Sequence, residues 1–433
     1  MTREEELRAS ARLIGQALSD TAGVAGDVHR AIGRRVAGLL PAVASPAMAA
    51  HDVIVDAAYA AVSAALRLAL RAGGEALAAT GAAGAPAPSQ TGAGRLALSA
   101  ANGLWGDTLA AEHPALAFPM TVRAHDCDVP LDRASVAAAF PEATSRLVVF
   151  LHGLAESDTS WWLRTDTDDE AAGSYGDRLH QDLGFTPVYL RYNSGLRVSD
   201  NGRALSRLLA DLTEAWPVQV GDISLVGHSM GGLVARSACQ DATRHGAAWV
   251  ASVRTLVTLG TPHLGAPLEK AVHVTEWLLS RFPETAPLAR PLQARSVGVK
   301  DLRYGNLVEE DWLGHDPDEL LRDRCTEVPL LDHVTYYFVA ACLTRDPEHP
   351  AGQLIGDGLV RYPSASGQGR ARHIPFEMDN GAHIGGIGHL SLLNHPDVYR
   401  QIRTWLAAGS LSASPTPGAA AARARRCESP RPA

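Results

Sequence analysis

Aromatic and charged residues are scarce in this chain of 433 residues, and basic residues are outnumbered by acidic ones. Aromatic residues make up 6% of the sequence and charged residues 20%, whereas the apolar share of 46% is ordinary for a soluble globular protein. The net charge of -8 offers nothing to offset phosphate repulsion, which argues against a nucleic-acid partner. The length allows one large domain with a sizeable core and a smaller additional part.

Cysteines are few, and the sequence shows neither a long apolar run nor the pattern of an export signal. Five cysteines, odd in number and without C-x-x-C spacing, predict reduced thiols rather than a disulfide framework. The longest apolar run, residues 53–70, is interrupted by Asp56 and Arg67 and does not predict a membrane span. Because the chain starts with acidic residues where a secretory signal would be basic and then apolar, we predict a cytoplasmic location.

Motifs for cofactors and metals are missing as well. The sequence has no G-x-x-x-x-G-K-[ST], no G-x-G-x-x-G after a predicted strand and no H-E-x-x-H. The acidic run at 166–170 begins like a calcium loop, but Ala171 stands where that loop needs glycine and Asp177 where it needs a bidentate glutamate. We therefore expect neither a cofactor nor a metal site.

One strand, turn and helix in the middle of the chain do carry a catalytic pattern. The apolar residues 223–226 predict a buried strand, GHSMG at 227–231 fits G-x-S-x-G, and a helical pattern runs from Leu233 to Cys239. The two glycines allow the strand and the helix to pass close together. Such a turn projects the Ser229 hydroxyl outward at the positive end of a helix, where a developing oxyanion is stabilised. We interpret Ser229 as a nucleophile.

A serine nucleophile needs a general base, and that base needs an acidic residue to orient it. Behind a turn of this kind the acid comes next in the chain and the histidine last. The candidate acid is Asp357, which lies in a glycine-flanked loop after a predicted strand. Asp346 and Asp379 remain as alternatives.

The candidate base is His389. It directly follows the glycine-rich segment 385–388 and lies between the last predicted strand and the final helix. The glycines there let the backbone approach the edge of the sheet. His383, which follows a predicted turn, and His395, which precedes a proline at a helix start, remain as alternatives.

The oxyanion formed in acyl transfer needs two backbone N–H donors. One donor is expected from Met230, directly after the nucleophile. The other is expected from Leu154, because Gly153 lets the loop after an early strand turn sharply toward the site. His152 precedes the serine in the chain and is interpreted as a brace for this loop rather than as a base.

The rest of the pattern predicts an α/β fold with two additional parts. Strands alternate with helices from about residue 120, which implies right-handed crossovers and a mostly parallel sheet covered on both faces. We predict an Ala-rich helical segment and linker at 1–110, a catalytic domain at 111–408 with a cap insertion at about 263–332, and a disordered tail at 409–433. The predicted strands are 121–129, 147–151, 186–192, 223–226, 254–259 and 335–341.

The N-terminal helical segment allows two interpretations. Residues Leu7, Ala11, Ile14 and Leu18 share one helical face, and a second helix follows from about Val28 to Leu39. We interpret these helices as a bundle or cover packed on the main domain. The alternative is a peripheral membrane or partner-binding element, which needs a stronger apolar face than alanine supplies.

Three pieces of the chain together resemble a known family. Residues 151–154 (LHGL), 225–234 (LVGHSMGGLV) and 259–265 (LGTPHLG) look like bacterial α/β-hydrolase lipases and esterases and like the catalytic domain of the GPI inositol-deacylase (PGAP1-like) group. The similarity extends over roughly residues 145 to 406. It implies an α/β-hydrolase fold and hydrolysis of carboxylic esters. Motif matching then puts the family's catalytic triad on Ser229, Asp357 and His389, and its oxyanion amides on Leu154 and Met230.

The expected function is that of a cofactor-independent serine esterase or lipase acting on a small-molecule or lipid ester. An acyltransferase on the same scaffold and a non-catalytic binding protein with a hydrolase fold are the alternatives. Apolar residues of the cap insertion predict an acyl groove and a preference for longer acyl chains. These residues are Trp277, Leu278, Leu279, Phe282, Leu288 and Leu292.

Overall fold

The computed structural model describes most of the chain. The described residues are 2–37, 59–75 except 61, 66, 71, 73 and 74, 87–163, 173–315 except 282 and 284, 319, 323–369 and 372–412. The acidic run at 166–170, residues 80–86 of the predicted linker at 80–94, and the tail beyond 412 lie outside them.

A central sheet of eight strands organises the fold. The strands are β1 Thr121–Ala124, β2 Cys127–Val129, β3 Arg146–Leu151, β4 Thr186–Arg191, β5 Asp222–His228, β6 Val253–Leu259, β7 Thr335–Cys342 and β8 Gly381–Gly385. Their order is β2-β1-β4-β3-β5-β6-β7-β8. All neighbours from β4 to β8 pair in parallel, and only β1 runs antiparallel to the strands beside it. The predicted mostly parallel sheet is confirmed.

The prediction of one extended strand over 121–129 was wrong. The segment folds into the hairpin of β1 and β2, with His125 and Asp126 between them at φ of 49° and 61°. Two consecutive residues with positive φ form the type I′ turn that matches the twist of a two-residue hairpin, and aspartate tolerates that conformation better than most residues.

Helices cover both faces of the sheet. They are α1 Arg3–Ala37, α2 Gly92–Glu112, α3 Arg133–Ala139, α4 Tyr175–Leu183, α5 Val198–Ala215, α6 Met230–His245, α7 Pro267–Ser280, α8 Ala286–Gln293, α9 Val297–Asp301, α10 Pro350–Ile355, α11 Tyr362–Ala365 and α12 Pro396–Ser412. Alternate residues of β3 enter two different cores, because successive side chains of a strand point to opposite faces. Leu147 and Val149 pack with α5 and α6, whereas Val148 and Phe150 pack with α4 and α12.

Two predicted helix boundaries differ from the structure. The final helix extends into the predicted tail at 409–433 and ends at Ser412. At the other end of the chain, α1 is one continuous helix instead of two. None of the helices in the described ranges has the length and hydropathy required to cross a bilayer.

The predicted apolar face of α1 does not point inward. Ile14 and Leu18 are 52% and 46% exposed. The inward face carries small residues instead, so that helical residues further along the chain approach closely: a Cβ added at Gly15 would lie 3.3 Å from Leu70 Cβ, and one at Gly26 would lie 2.9 Å from the ring of Tyr59. Close approach through small residues therefore replaces the predicted aliphatic contact.

Candidate active site

Ser229 occupies a strained turn between β5 and α6. Its backbone has φ of 50° and ψ of -121°, a conformation that L-residues rarely adopt, and its N–H donates to the carbonyl of Leu259 at 2.8 Å. The glycines on either side allow the tight passage: a Cβ at Gly227 would lie 2.4 Å from the N of Gly232, and one at Gly231 would lie 2.3 Å from the carbonyl oxygen of Leu151. The strained backbone projects the serine side chain at the end of the sheet where the parallel strands terminate.

Asp357 and His389 form a buried hydrogen-bonded pair. His389 Nδ1 lies 2.7 Å from Asp357 Oδ2, and both side chains are buried. The other carboxylate oxygen, Oδ1, accepts hydrogen bonds from the N–H groups of Leu359 (2.9 Å) and Val360 (2.7 Å). The main chain strengthens the pair, because the His389 N–H donates to the Asp357 carbonyl at 3.0 Å. The carboxylate is therefore held in place from three directions.

The structure places the alternative residues elsewhere. Asp346 and Asp379 are exposed and make no contact with His389 among the described residues. His383 packs against the ring of Tyr362 at 4.5 Å between centroids. His395 Nδ1 accepts from the N–H of Asp397 at the start of α12.

The loop after β6 brings the pair beside the nucleophile turn. Gly260 has φ of 58°, and a Cβ added there would lie 3.1 Å from both Asp357 Oδ2 and His389 Cε1. Its neighbour Leu259 accepts the hydrogen bond from Ser229. A side chain at position 260 would therefore collide with the pair, and this requirement for glycine was not predicted from the sequence.

The two predicted oxyanion donors flank the same turn. Met230 is the first residue of α6, so its N–H has no acceptor within the helix. Leu154 follows Gly153, where an added Cβ would lie 3.0 Å from Ser229 Cβ. The Leu154 N–H makes no hydrogen bond in the described part of the chain. The role of these two amides as oxyanion donors stays a prediction.

His152 supports the loop after β3, residues 152–156, which we call the oxyanion loop because the predicted donor Leu154 lies in it. Its ring stacks on Tyr192 at 4.1 Å, its Nδ1 donates to the Gly153 carbonyl at 2.8 Å, and its Nε2 accepts from the N–H of Tyr192 at 3.2 Å. Burial lowers the pKa of His152 and more than offsets the hydrogen bond to Gly153. The ring is therefore a neutral brace, as its position before the serine suggested.

A second buried histidine–carboxylate pair was missed by the sequence analysis. Glu156 accepts the N–H of Gly153 at 2.7 Å and contacts His228 Nδ1 at 2.9 Å. Burial favours the uncharged form of each partner, but their mutual attraction outweighs it, so the pKa of Glu156 is lowered and that of His228 is raised. Nothing in the spacing of residues 156 and 228 indicates this contact.

Helix α2 packs directly on the oxyanion loop, and the predicted domain boundary at residue 110 falls inside it. A Cβ at Gly103 would lie 2.6 Å from the N and Cα atoms of Ala155, and the Gly103 carbonyl accepts from Ser296 Oγ at 2.6 Å. The helix is irregular at Trp105, where φ is -137° and ψ is 28°. This N-terminal helix is therefore part of the wall around the site.

The buried side of the cap helix α7 is charged rather than apolar. Arg295 lies 2.8 Å from Glu276, and Arg303 lies 3.3 Å from Glu269. Burial raises the pKa of Glu269, although the two arginines oppose the change. Leu278 is 53% and Leu288 46% exposed, and Phe282 lies outside the described residues. The acyl groove in this insertion stays a prediction.

These features define a class of protein before any comparison is made. A mostly parallel eight-stranded sheet carries a strained serine turn after β5, and a buried aspartate–histidine pair follows it in chain order, as in the α/β-hydrolase fold. Residues 142–286 match the family model described as the PGAP1-like alpha/beta domain. The resemblance to that group is confirmed for the segment that contains Ser229 and Gly153. The matched range does not include Asp357 or His389.

Solved structures of several hydrolases are similar to this chain at low identity. The mature lipase BlEst2 of Bacillus licheniformis is 19% identical, with 61% of this chain and 91% of that chain covered and a TM-score of 0.37. The Pyrobaculum calidifontis esterase is 16% identical, with 62% and 76% covered and a TM-score of 0.30. Phospholipase PlaB of Legionella pneumophila is 15% identical, with 52% and 45% covered and a TM-score of 0.32.

Scores this low carry no argument about what the protein does. No curated protein sequence matches the chain significantly.

Proposed function

We propose that the protein is a serine hydrolase that cleaves carboxylic esters of small molecules or lipids, with Ser229, His389 and Asp357 as its catalytic triad. The observation that carries this proposal is the 2.7 Å bond between His389 Nδ1 and Asp357 Oδ2 beside a serine in strained backbone. That bond fixes the tautomer in which His389 Nε2 carries no proton and can act as a base.

The reaction proceeds in two halves. Ser229 Oγ attacks the ester carbonyl carbon while His389 Nε2 takes the hydroxyl proton, and the tetrahedral oxyanion accepts hydrogen bonds from the amides of Met230 and Leu154. His389 then gives the proton to the departing alcohol oxygen, which leaves an acyl-serine ester. Water, deprotonated by the same nitrogen, releases the acid and restores the serine.

Covalent labelling tests the nucleophile. A fluorophosphonate is expected to modify Ser229, and Ser229→Ala is expected to lose both labelling and hydrolysis of nitrophenyl esters. Ser391→Ala is the control. Ser391 lies two residues beyond His389 and has no place in the mechanism, so this variant should keep both labelling and hydrolysis. Labelling that persists in Ser229→Ala would move the nucleophile to another residue.

The preference for acyl length tests the substrate class. Each methylene buried in an apolar groove contributes about 0.8 kcal/mol, or about fourfold in kcat/KM. We expect kcat/KM to rise from two-carbon toward longer nitrophenyl esters and peptide hydrolysis to be negligible. A profile that peaks at acetate and falls steadily would exclude the groove while leaving the triad untouched.

A further inference from the structure

His228 lies between three loops of the candidate site and contacts an acceptor through each ring nitrogen. Its Nδ1 is 2.9 Å from Glu156 Oε1 and 3.0 Å from Oε2, and its Nε2 is 3.1 Å from the carbonyl oxygen of His389. The imidazole is completely buried, and the Glu156 carboxylate nearly so. No water or surface residue is needed to complete these contacts.

The two contacts determine the protonation of the ring. A carbonyl oxygen can only accept, so Nε2 must carry a proton. The Glu156 carboxylate accepts the N–H of Gly153 at 2.7 Å, and if that carboxylate is ionised, Nδ1 carries a proton too. A neutral imidazole has a single N–H and would leave one contact unmade unless Glu156 held the other proton.

The charged groups around the ring favour the cation. Two anions act on His228, Glu156 on the oxyanion loop and Asp357 on the loop after α10, and both favour its protonated form. The Trp161 ring, in the segment after Glu156, meets His228 edge-on at 6.4 Å between centroids. The neighbouring His389 ring lies at 4.7 Å. Burial is the largest single influence and it opposes protonation, but the two carboxylates and the hydrogen bonds of the ring together outweigh it, so the pKa of His228 is raised.

We propose that His228 is a positioning residue that stays protonated at neutral pH. Through its contacts it holds three segments in fixed relative positions: the loop after β3 with Gly153 and Glu156, the turn at Ser229, and the loop after β8 that contains His389. Glu156 fixes the amide of Gly153, the backbone of His228 continues into Ser229, and Nε2 holds the main chain of His389. The proposal rests on the proposed function only for its kinetic consequence. His228 touches no substrate, and it acts through the groups that it holds.

Nuclear magnetic resonance of histidine labelled with nitrogen-15 tests the protonation directly. The His228 resonances are assigned by their loss in His228→Gln. Both nitrogens are expected to show imidazolium shifts at pH 7, and Glu156→Gln is expected to convert them to those of a neutral ring. A neutral ring in the wild type at pH 7 would overturn the proposal. This result does not depend on ester hydrolysis, so it separates failure of the proposal from failure of the proposed function.

Kinetics tests the positioning role. Glu156→Gln keeps the size of the side chain and is expected to lower kcat on the order of a hundredfold, as a small misplacement of catalytic groups does, with KM within about twofold. The matched control is Glu142→Gln, since Glu142 also pairs with a histidine, His180 at 3.2 Å, but is 82% exposed on the surface. An unchanged kcat in Glu156→Gln would overturn the role, and so would a loss that disappears when the assay is cooled far below the unfolding midpoint.

Discussion

Two buried histidine–carboxylate pairs lie next to each other in this molecule, and they differ in what their ring nitrogens contact. His389 uses Nδ1 for Asp357, and no hydrogen bond in the described part of the chain engages its Nε2. His228 uses Nδ1 for Glu156 and Nε2 for the His389 carbonyl. A ring with one unengaged nitrogen can accept and return a proton, whereas a fully engaged ring must break a contact to do so.

The difference shows that the carboxylate beside a histidine does not by itself decide what the histidine can do. Both pairs are within hydrogen-bond distance and both are buried. The second nitrogen decides whether the ring is suited to proton transfer or to support. The following predictions change one pair or its surroundings and leave the other intact.

The largest effect is expected from Asp357→Asn. An asparagine in this position would present its amide to His389 Nδ1 and favour the wrong tautomer, so kcat should fall on the order of ten-thousandfold. His389→Ala should lose a similar factor. Kinetics with a nitrophenyl ester measures both. Asp379→Asn is the control, because that residue is exposed, and a greater loss there than in Asp357→Asn would assign the acid to position 379.

A smaller effect is expected from Gly103→Ala, which acts on the loop that carries Glu156. The added methyl group would lie 2.6 Å from backbone atoms of Ala155, and backbone cannot yield as a flexible side chain can. We expect a loss of kcat on the order of tenfold to a hundredfold, since misplaced oxyanion donors cost that much or more. Gly92→Ala near the start of the same helix has nothing within 4 Å of the new methyl group and should keep full activity.

Equal activity of the two glycine variants would contradict the packing of α2 on the oxyanion loop. A loss in Gly103→Ala that appears in KM alone would instead assign this helix to substrate binding rather than to the placement of Leu154.

Local patterns in the sequence were enough to predict the sheet and the tight turn at Ser229. The continuous apolar runs that became β3, β5 and β6 are buried on both faces, and Gly227 is required by its contact with Gly231 and Gly232, a few positions further on. Chain order suggested Asp357 and His389, and the structure brings those two together. Such inferences succeed because each uses residues that are close in sequence or a fixed order along the chain.

Contacts between distant residues could not be predicted in the same way. Glu156 and His228 are separated by 72 positions, and His228 and His389 by 161. The inward face of α1 was misjudged because small residues, not aliphatic ones, allow its close packing. In α7 the burial of Glu269 and Glu276 depends on arginines supplied by a later segment. Hydrophobic periodicity contains no information about such partners.

The smallest effect is expected in the pH dependence of stability, and it concerns the Glu156–His228 pair rather than the Asp357–His389 pair. Burial lowers the pKa of His228, but the attraction and hydrogen bond of Glu156, together with the His389 carbonyl and Asp357, outweigh it and raise that pKa above its ordinary 6.5. The stabilisation is therefore complete below 6.5 and is lost as pH rises through the raised value. The pKa of Glu156 is lowered below its ordinary 4.5, so its stabilisation is present above 4.5 and is lost as pH falls through the lowered value. The free energy of unfolding of the wild type should therefore exceed that of Glu156→Gln by the greatest margin between pH 4.5 and 6.5, and the margin should shrink on either side. Urea unfolding at a series of pH values measures the margin, with Glu142→Gln as the surface control. A margin that is constant from pH 4 to 9 would mean that Glu156 and His228 are not an ion pair.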